Sequence, residues 1–333
     1  MQAFLRQILT GVYFNRLKSE WLSTPPPGIR WQAPMTHVLV GLVPIGLAAL
    51  YFFGWRVLLL LVVANAVGFA TELLFVRAWK QPVTSAVFVS CTLFVFSLPP
   101  LLPLWMVALG SGFAIAFGKM AFGGFGRNVF NPALVGRAFL YISFGGPMTA
   151  RWSEPFRGGL GGFAHYAPDA ITGATPGMLL KTGAEFSLWD LFIGSSAGTI
   201  GGTSAVLAIL GGLYIVWRKA ANFRIVVAGI GGYLLTQFIL WQAGVPKAVE
   251  PLHAVLAGSF LIGIFFYATE PVSASRLDSG RWIYGAFIGV MSSLISVYSV
   301  WPAGTMFAIL LANMMAPIMD YGLKQLRAGK VAP

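Results

Sequence analysis

The chain has 333 residues, 57% of them apolar and only 10% charged, with a mean hydropathy of +0.77 and a formal charge of +12. A soluble fold of this length needs a more polar surface, and apolar runs long enough to cross about 30 Å of hydrocarbon recur along the chain, so it reads as a polytopic membrane protein. The surplus of Lys and Arg suits orientation-setting loops rather than nucleic acid, because no basic stretch is interleaved with aromatics that could stack on bases.

In chain order, residues 1–35 read as a surface segment and linker. Leu5, Ile8, Leu9, Val12 and Leu17 recur at helical spacing with Arg6, Gln7 and Asn15 off the stripe, which predicts an amphipathic helix lying on the membrane. Arg6, Arg16, Lys18 and the lack of a compact apolar core argue against a secretory signal. Pro25, Pro26, Pro27 and Gly28 then break the helix.

A first membrane half, 36–144, is predicted to hold five spans: Thr36–Trp55, Val57–Phe75, Thr84–Leu98, Leu102–Met120 and Phe130–Phe144. The third and fifth are short for the about 20 residues of a full crossing and have Pro near each end, so they read as half-helices of the kind that line transporter sites. A loop over 145–187 follows. The second half, 188–323, holds Leu188–Ile200 and Thr203–Trp217, which read as one helix interrupted at Gly198, Gly201 and Gly202. Phe223–Trp241, Pro251–Thr269, Trp282–Val300 and Gly304–Gly322 complete it, and 324–333 is a tail. The expected fold is therefore an all-α integral membrane protein of about ten transmembrane helices in two five-helix inverted repeats, with short half-helices.

Charge sets the expected orientation. With the N-terminus inside, one face collects Arg6, Arg16, Lys18, Arg30, Arg77, Lys80, Lys119, Arg127, Arg218, Lys219, Arg224, Arg276, Arg281, Lys324, Arg327 and Lys330. The other face holds only Arg56, Arg151, Arg157, Lys181 and Lys247, and Arg137 falls within a span. That bias places both termini in the cytoplasm and the 145–187 loop on the opposite side of the membrane.

Few residues suggest metal chemistry. Cys91 is the single cysteine and lies in an apolar run. It reads as a packing residue, the alternative being a cluster ligand shared with another protein of a complex. His37, His165 and His253 show no metal spacing, so any cofactor is expected to be organic. There is no P-loop, and the glycines at 159–161 follow no predicted strand, so a dinucleotide-binding domain is not expected in this chain.

Two stretches stand out. Asp169–Pro176 (DAITGATP) reads locally as an exposed turn. Gly123–Phe139 is less ordinary: its glycines allow close backbone approach, and Asn128 and Asn131 would lie about one turn apart if the segment is helical. Two amides at membrane depth need polar partners, supplied either by a heteroaromatic ring or by neighbouring helices. Ionisable groups in or near spans are Glu72, Glu270, Asp320 and Arg137. Each acid reads either as part of an ion pathway or as a solvated helix end, and Arg137 as neutralising the negative charge of a cofactor or a carboxylate.

The runs Gly126–Leu140 (GRNVFNPALVGRAFL), Thr172–Thr175 (TGAT), Ala268–Ser275 (ATEPVSAS) and Leu310–Asp320 (LLANMMAPIMD) occur in this order. Together they resemble the B subunits of the sodium-translocating NADH:quinone oxidoreductases and, more distantly, the D subunits of Rnf complexes, over about His37 to Asp320. The resemblance implies FMN joined through its phosphate to the Thr175 hydroxyl by a flavin transferase outside the cytoplasmic membrane, with Asp169, Thr172, Gly173 and Ala174 completing the motif. Ala170 and Thr172 stand where that motif commonly has Gly and Ser, and the N-terminal region is shorter than the family's. The resemblance further implies a non-covalent riboflavin near Asn128 and Asn131, cation uptake involving Glu270 and Asp320, and quinone as electron acceptor; Glu72 joins the candidate ion pathway by its depth in a span. Glu270 stands where Asp is more usual. Expected partners are a periplasmic-facing FMN protein, an NADH-oxidising flavin and iron–sulfur protein of the same complex, and membrane lipid. An Rnf-type D subunit is the nearest alternative, and a flavin-free small-solute channel is the alternative of another class.

Overall fold

The computed structural model describes residues 28–168, 175–194, 196–299 and 304–328. The predicted N-terminal amphipathic helix, the prolines at 25–27, the motif residues 169–174 and the last five residues lie outside the described residues.

Six helices are long and apolar enough to cross a membrane: Ala33–Phe53 (α1), Arg56–Ala78 (α2), Leu104–Gly118 with its 3-10 continuation (α4), Phe223–Gln242 (α10), Asp278–Tyr298 (α13) and Gly304–Ala328 (α14). Shorter helices are Ala86–Phe96 (α3), Pro132–Ser143 (α5), Gly145–Ala150 (α6), Pro176–Leu179 (α7), Leu188–Ile193 (α8), Ala205–Trp217 (α9), Pro251–Leu256 (α11) and Phe260–Ile262 (α12), which runs into a π-helix at Gly263–Tyr267. The one ladder among the described residues is a parallel pair, Ile29–Arg30 (β1) with Val83–Thr84 (β2). Apolar side chains such as Val43, Leu47, Val62 and Leu235 remain exposed on the long helices, as lipid contact requires. The chain is a multi-pass, all-α membrane protein.

Each half repeats one pattern of neighbours. In the first, α2 packs on α4 and α4 on α5; in the second, α10 packs on α13 and α13 on α14. The leading helices of the halves, α1 and α9, pack together, and the closing helices, α5 and α14, also meet. Five crossings per half would leave the second half inverted relative to the first, which suits this exchange of equivalent neighbours.

The third predicted span is short, as its sequence indicates. An 11-residue α3 rises only about 17 Å and cannot cross alone. Its C-terminal carbonyls are met by the connector between α8 and α9: Ile200 N–H donates to Leu98 O (3.1 Å) and Gly201 N–H to Phe96 O (2.8 Å). A Cβ on Gly201 would lie 2.6 Å from Phe96 Cβ, so only glycine allows this approach. Irregular backbone at depth survives where protein groups satisfy it.

The second half differs from the sequence-based expectation in one stretch. Hydropathy predicts a single span over Pro251–Thr269, but α11 ends at Leu256 and Gly258 adopts φ +140° before α12 and the π-turn. The sixth span is interrupted as predicted, yet earlier: α8 closes at Gly194 in a left-handed conformation, and helix resumes at Ala205.

Candidate functional site

Arg137 lies on α5, a helix whose start is written in the sequence. Asn131 is its N-cap, accepting from the Ala133 and Leu134 amides, and Pro132 fills the first helical position. Asn128 therefore sits outside the helix, and the two amides are not one turn apart on a helical face as the spacing suggests.

Arg137 borders an open cavity of about 830 Å³ that also reaches Thr175, Trp152, Lys181, Thr199 and Ser292. Four buried polar atoms on its walls have no hydrogen-bond partner among the described residues: Arg137 Nε, Trp152 Nε1, Thr199 Oγ1 and Ser292 Oγ. Such orphans are rare in folded proteins, and four around one cavity point to a ligand rich in acceptors. No carboxylate lines the cavity among the described residues, and none there forms a salt bridge with Arg137.

Thr175 is the N-cap residue of α7 by backbone position. Its carbonyl accepts from Met178 and Leu179, while its hydroxyl makes no capping bond. A capping threonine usually spends its hydroxyl on the helix; this one does not, and Thr175 lines the cavity. Asp169, Thr172, Gly173 and Ala174 lie outside the described residues. Lys181, just past the end of α7, donates to the Ser296 carbonyl. Burial, with Lys247 as a second cation nearby, holds its ammonium below the usual lysine range, so a negative group at Thr175 would be welcome there.

A second polar centre joins the two halves. Glu270, just past the π-helix, accepts from Ser273 N–H (2.8 Å), Ser273 Oγ (2.5 Å) and Val272 N–H (3.3 Å), with Asn128 Nδ2 at 3.4 Å. Asn313 of α14 accepts from the Asn131 amide (3.0 Å) and donates to Tyr284 Oη (2.6 Å) and the Ser273 carbonyl (3.3 Å). Asn131 Nδ2 donates to the Tyr267 carbonyl (3.1 Å). Asp320 anchors the same segment further on, accepting from Ser275 Oγ (2.5 Å) and Arg276 N–H (2.9 Å). Asn128, Ser273 and Asp320 share a cleft of about 890 Å³ with Arg127, Arg276 and Lys324. Protein groups meet part of the two asparagines' hydrogen-bonding capacity. Asn131 is committed to capping and the Tyr267 carbonyl, whereas Asn128 Oδ1 has no bond among the described residues.

Glu72 is separate from both centres. Of the two roles its sequence position allows, ion pathway or solvated helix end, the structure removes the solvated end. Glu72 is 1% exposed and pairs with Lys119 at 2.6 Å. Its other oxygen accepts from Thr84 N–H (3.0 Å) and Thr84 Oγ1 (2.8 Å), and Lys119 Nζ also donates to Thr84 Oγ1 (2.6 Å). Lys119, expected among the orienting loop charges, is instead buried, 1% exposed. An unpaired acid and an unpaired base at neighbouring span ends are each costly, which is the sequence signal for their pairing. Cys91 is buried beside Ser111 (3.8 Å) and fills the space over Gly68.

The structure adds residues that the sequence does not single out: Lys119 and Thr84 with Glu72, Trp152, Thr199, Ser292 and Lys181 around Thr175, and Ser273, Tyr284 and Asn313 around Glu270. A hydroxyl in an apolar span carries little local signal; its role appears only when the fold gathers several.

Residues 27–329 match the family described as NQR2, RnfD, RnfE. The chain is 36% identical over 312 residues to the B subunit of the Na(+)-translocating NADH-quinone reductase of Pseudoalteromonas atlantica, covering 89% of this chain and 74% of the relative. To the protein of the same name from Yersinia pestis it is 33% identical over 330 residues, covering 97% and 76%. To that from Neisseria meningitidis serogroup B it is 39% identical over 266 residues, covering 78% and 64%. With the match running almost the full length of a multi-pass helical architecture, the chain belongs to the NQR2, RnfD, RnfE family.

Proposed function

We propose that the chain is a membrane electron-transfer subunit of an ion-translocating NADH:quinone oxidoreductase, bearing FMN esterified through its phosphate to Thr175. The observation that carries this reading is the Thr175 hydroxyl, unused by its own helix, at a cavity with four unpartnered buried polar atoms, Arg137 Nε among them. FMN held there supplies reversible electron transfer, and the chain supplies position and electrostatics. Thr175 would anchor the phosphate, with Lys181 as nearby countercharge. Arg137 and Trp152 would donate to acceptors deeper in the cavity, and the Thr199 and Ser292 hydroxyls can donate or accept as the ligand requires. The names carried by its relatives support a sodium-coupled, quinone-reducing assembly with this chain as one of several subunits.

Under this reading the Thr175 loop faces the periplasm, where a flavin transferase reaches it, and both termini lie in the cytoplasm. A non-covalent riboflavin would use the free Asn128 Oδ1 in the cleft shared with Asp320, while Asn131 holds the helix start that shapes that cleft. Glu270 and Asp320, bound to opposite ends of one short segment, would couple cation occupancy to its conformation.

In-gel flavin fluorescence after denaturation tests the assignment. Protein matured with a competent transferase should fluoresce, and a Thr175→Val protein should be dark. An unmodified intact mass for the matured wild type would refute the covalent flavin and leave the channel reading in its place.

A further inference from the structure

The loop after α9 and the segment before α13 enclose a cleft of about 870 Å³ that neither the Thr175 cavity nor the Glu270 network uses. Lys219, Arg224 and Arg281 line it, and no carboxylate does among the described residues. The arginines are not free-swinging surface charges. Arg281 is fixed by Asp278 (2.7 Å) and by donation from its Nε to the Ser275 carbonyl (3.2 Å), and Arg224 reaches the same Asp278 at 3.3 Å. Asp278 pairs with both from outside the lining, so one carboxylate is shared between two arginines, Lys219 adds a further cation, and the cleft keeps an excess of positive charge.

We propose that this cleft binds the phosphate headgroup of an anionic phospholipid. Phosphodiester chemistry is selected by the fixed cations, which can donate several charge-assisted hydrogen bonds. A lipid source is selected by what surrounds the cleft. Trp217, 73% exposed, ends α9, and Phe223 and Trp282 start α10 and α13 with their rings edge to face at 6.3 Å. Arg218 and Arg224 lie over the Trp217 and Phe223 rings. Aromatics mixed with cations at the ends of apolar spans mark headgroup depth. Leu213, Val227 and Ile283 continue from the three helix ends as exposed apolar surface on which acyl chains can lie. A soluble anion has no use for that surface. The opposite wall is Thr269, Pro271, Ala274 and Ser275, so a bound headgroup braces the segment that holds Glu270 and Asp320.

The test is native mass spectrometry of the delipidated full chain in detergent, titrated with phosphatidylglycerol or with phosphatidylcholine of the same acyl chains. One phosphatidylglycerol adduct should form about tenfold or more in preference to phosphatidylcholine and persist in millimolar inorganic phosphate. Each interfacial cation is worth about 1 kcal/mol, or about fivefold, so Lys219→Asn with Arg224→Gln should weaken the adduct about 25-fold. Asn suits position 219 because its φ is +57°. Arg224→Lys should retain most binding, and Lys80→Asn, at a similar φ of +54° in another loop, should retain all of it. Equal binding of the two lipids, displacement by phosphate, or a loss with Lys80→Asn matching that of Lys219→Asn would overturn the proposal.

Discussion

Glu72 and Lys119 illustrate how far a residue's neighbourhood can change its meaning. Each alone would be an ionised group at the edge of an apolar span; together with Thr84 they form a closed set in which both carboxylate oxygens are occupied. Breaking a buried pair leaves the survivor uncompensated, at about 3–5 kcal/mol, whereas removing both partners is far milder. Lys119→Met should therefore lower the thermal midpoint of the detergent-solubilised chain sharply, and Glu72→Gln combined with Lys119→Met should recover most of the loss. A double variant as unstable as the single one would mean that the pair's environment, not its charge balance, sets the cost. Lys181 offers a pH-dependent counterpart. Its folded pKa is lowered, so the folded loop disfavours the charged form and stability rises with pH through that lowered value towards the ordinary lysine range. In a Thr175→Val background, protection of the 145–187 loop from proteolysis should increase as pH rises towards the ordinary lysine value of about 10, and Lys181→Met should flatten that rise. At this scale the sequence discloses Thr175 and Arg137 through their motifs. It does not disclose Trp152, Thr199 or Ser292, because isolated hydroxyls and indoles acquire meaning only from shared walls.

Among the helices, small residues set which surfaces meet. α10 and α13 cross where Gly229 and Gly232 face Gly285, Ala286 and Gly289, and a Cβ on Gly289 would run into the Gly229 carbonyl and lie 2.6 Å from the Tyr233 amide nitrogen. Without a hydrophobic drive between helices in lipid, such backbone contact provides much of the association. Gly289→Ala should cost about 1–3 kcal/mol through overpacking, read as a lower unfolding midpoint. Gly231→Ala, on the same pair of helices but with nothing near its Cβ, should leave the midpoint within experimental scatter. Equal losses would show that the crossing does not set the cost, because Ala is the better helix former at both positions. The six long helices were legible from apolar runs, and the short third and fifth spans from their prolines. The break in Pro251–Thr269 was not, because Gly258 sits in an apolar stretch that hydropathy cannot distinguish from a continuous helix. Nor does any local pattern mark the π-turn after it; tertiary packing of Phe265, Phe266 and Tyr267 accompanies it.

The molecule is held together across its halves rather than by the loop that joins them. The α1–α9 contact is tight enough that a Cβ on Gly41 would lie 2.8 Å from Ile215 Cγ2, and Asn313 of the second half receives the Asn131 amide of the first. The connecting loop is itself pinned at several points: Phe156 N–H donates to the Phe52 carbonyl (2.9 Å), and Trp55 N–H and Arg56 N–H donate to the His165 and Tyr166 carbonyls. Between these anchors, Gly158 and Gly159 are exposed and left-handed, with open space where side chains would be. A protease site inserted between them should be cut in the folded protein, since exposed loop tips tolerate insertion and nicking. The two fragments should then co-purify in mild detergent and separate only on denaturation. On the proposed reading, covalent flavin fluorescence should travel entirely with the C-terminal fragment, which carries Thr175, and cleavage after maturation should leave it undiminished. Fragments that part in mild detergent would show that the loop, not the helix seam, supplies the cohesion. Fluorescence on the N-terminal fragment would move the attachment site away from Thr175 while leaving the seam intact, so the two claims stand or fall separately in one measurement.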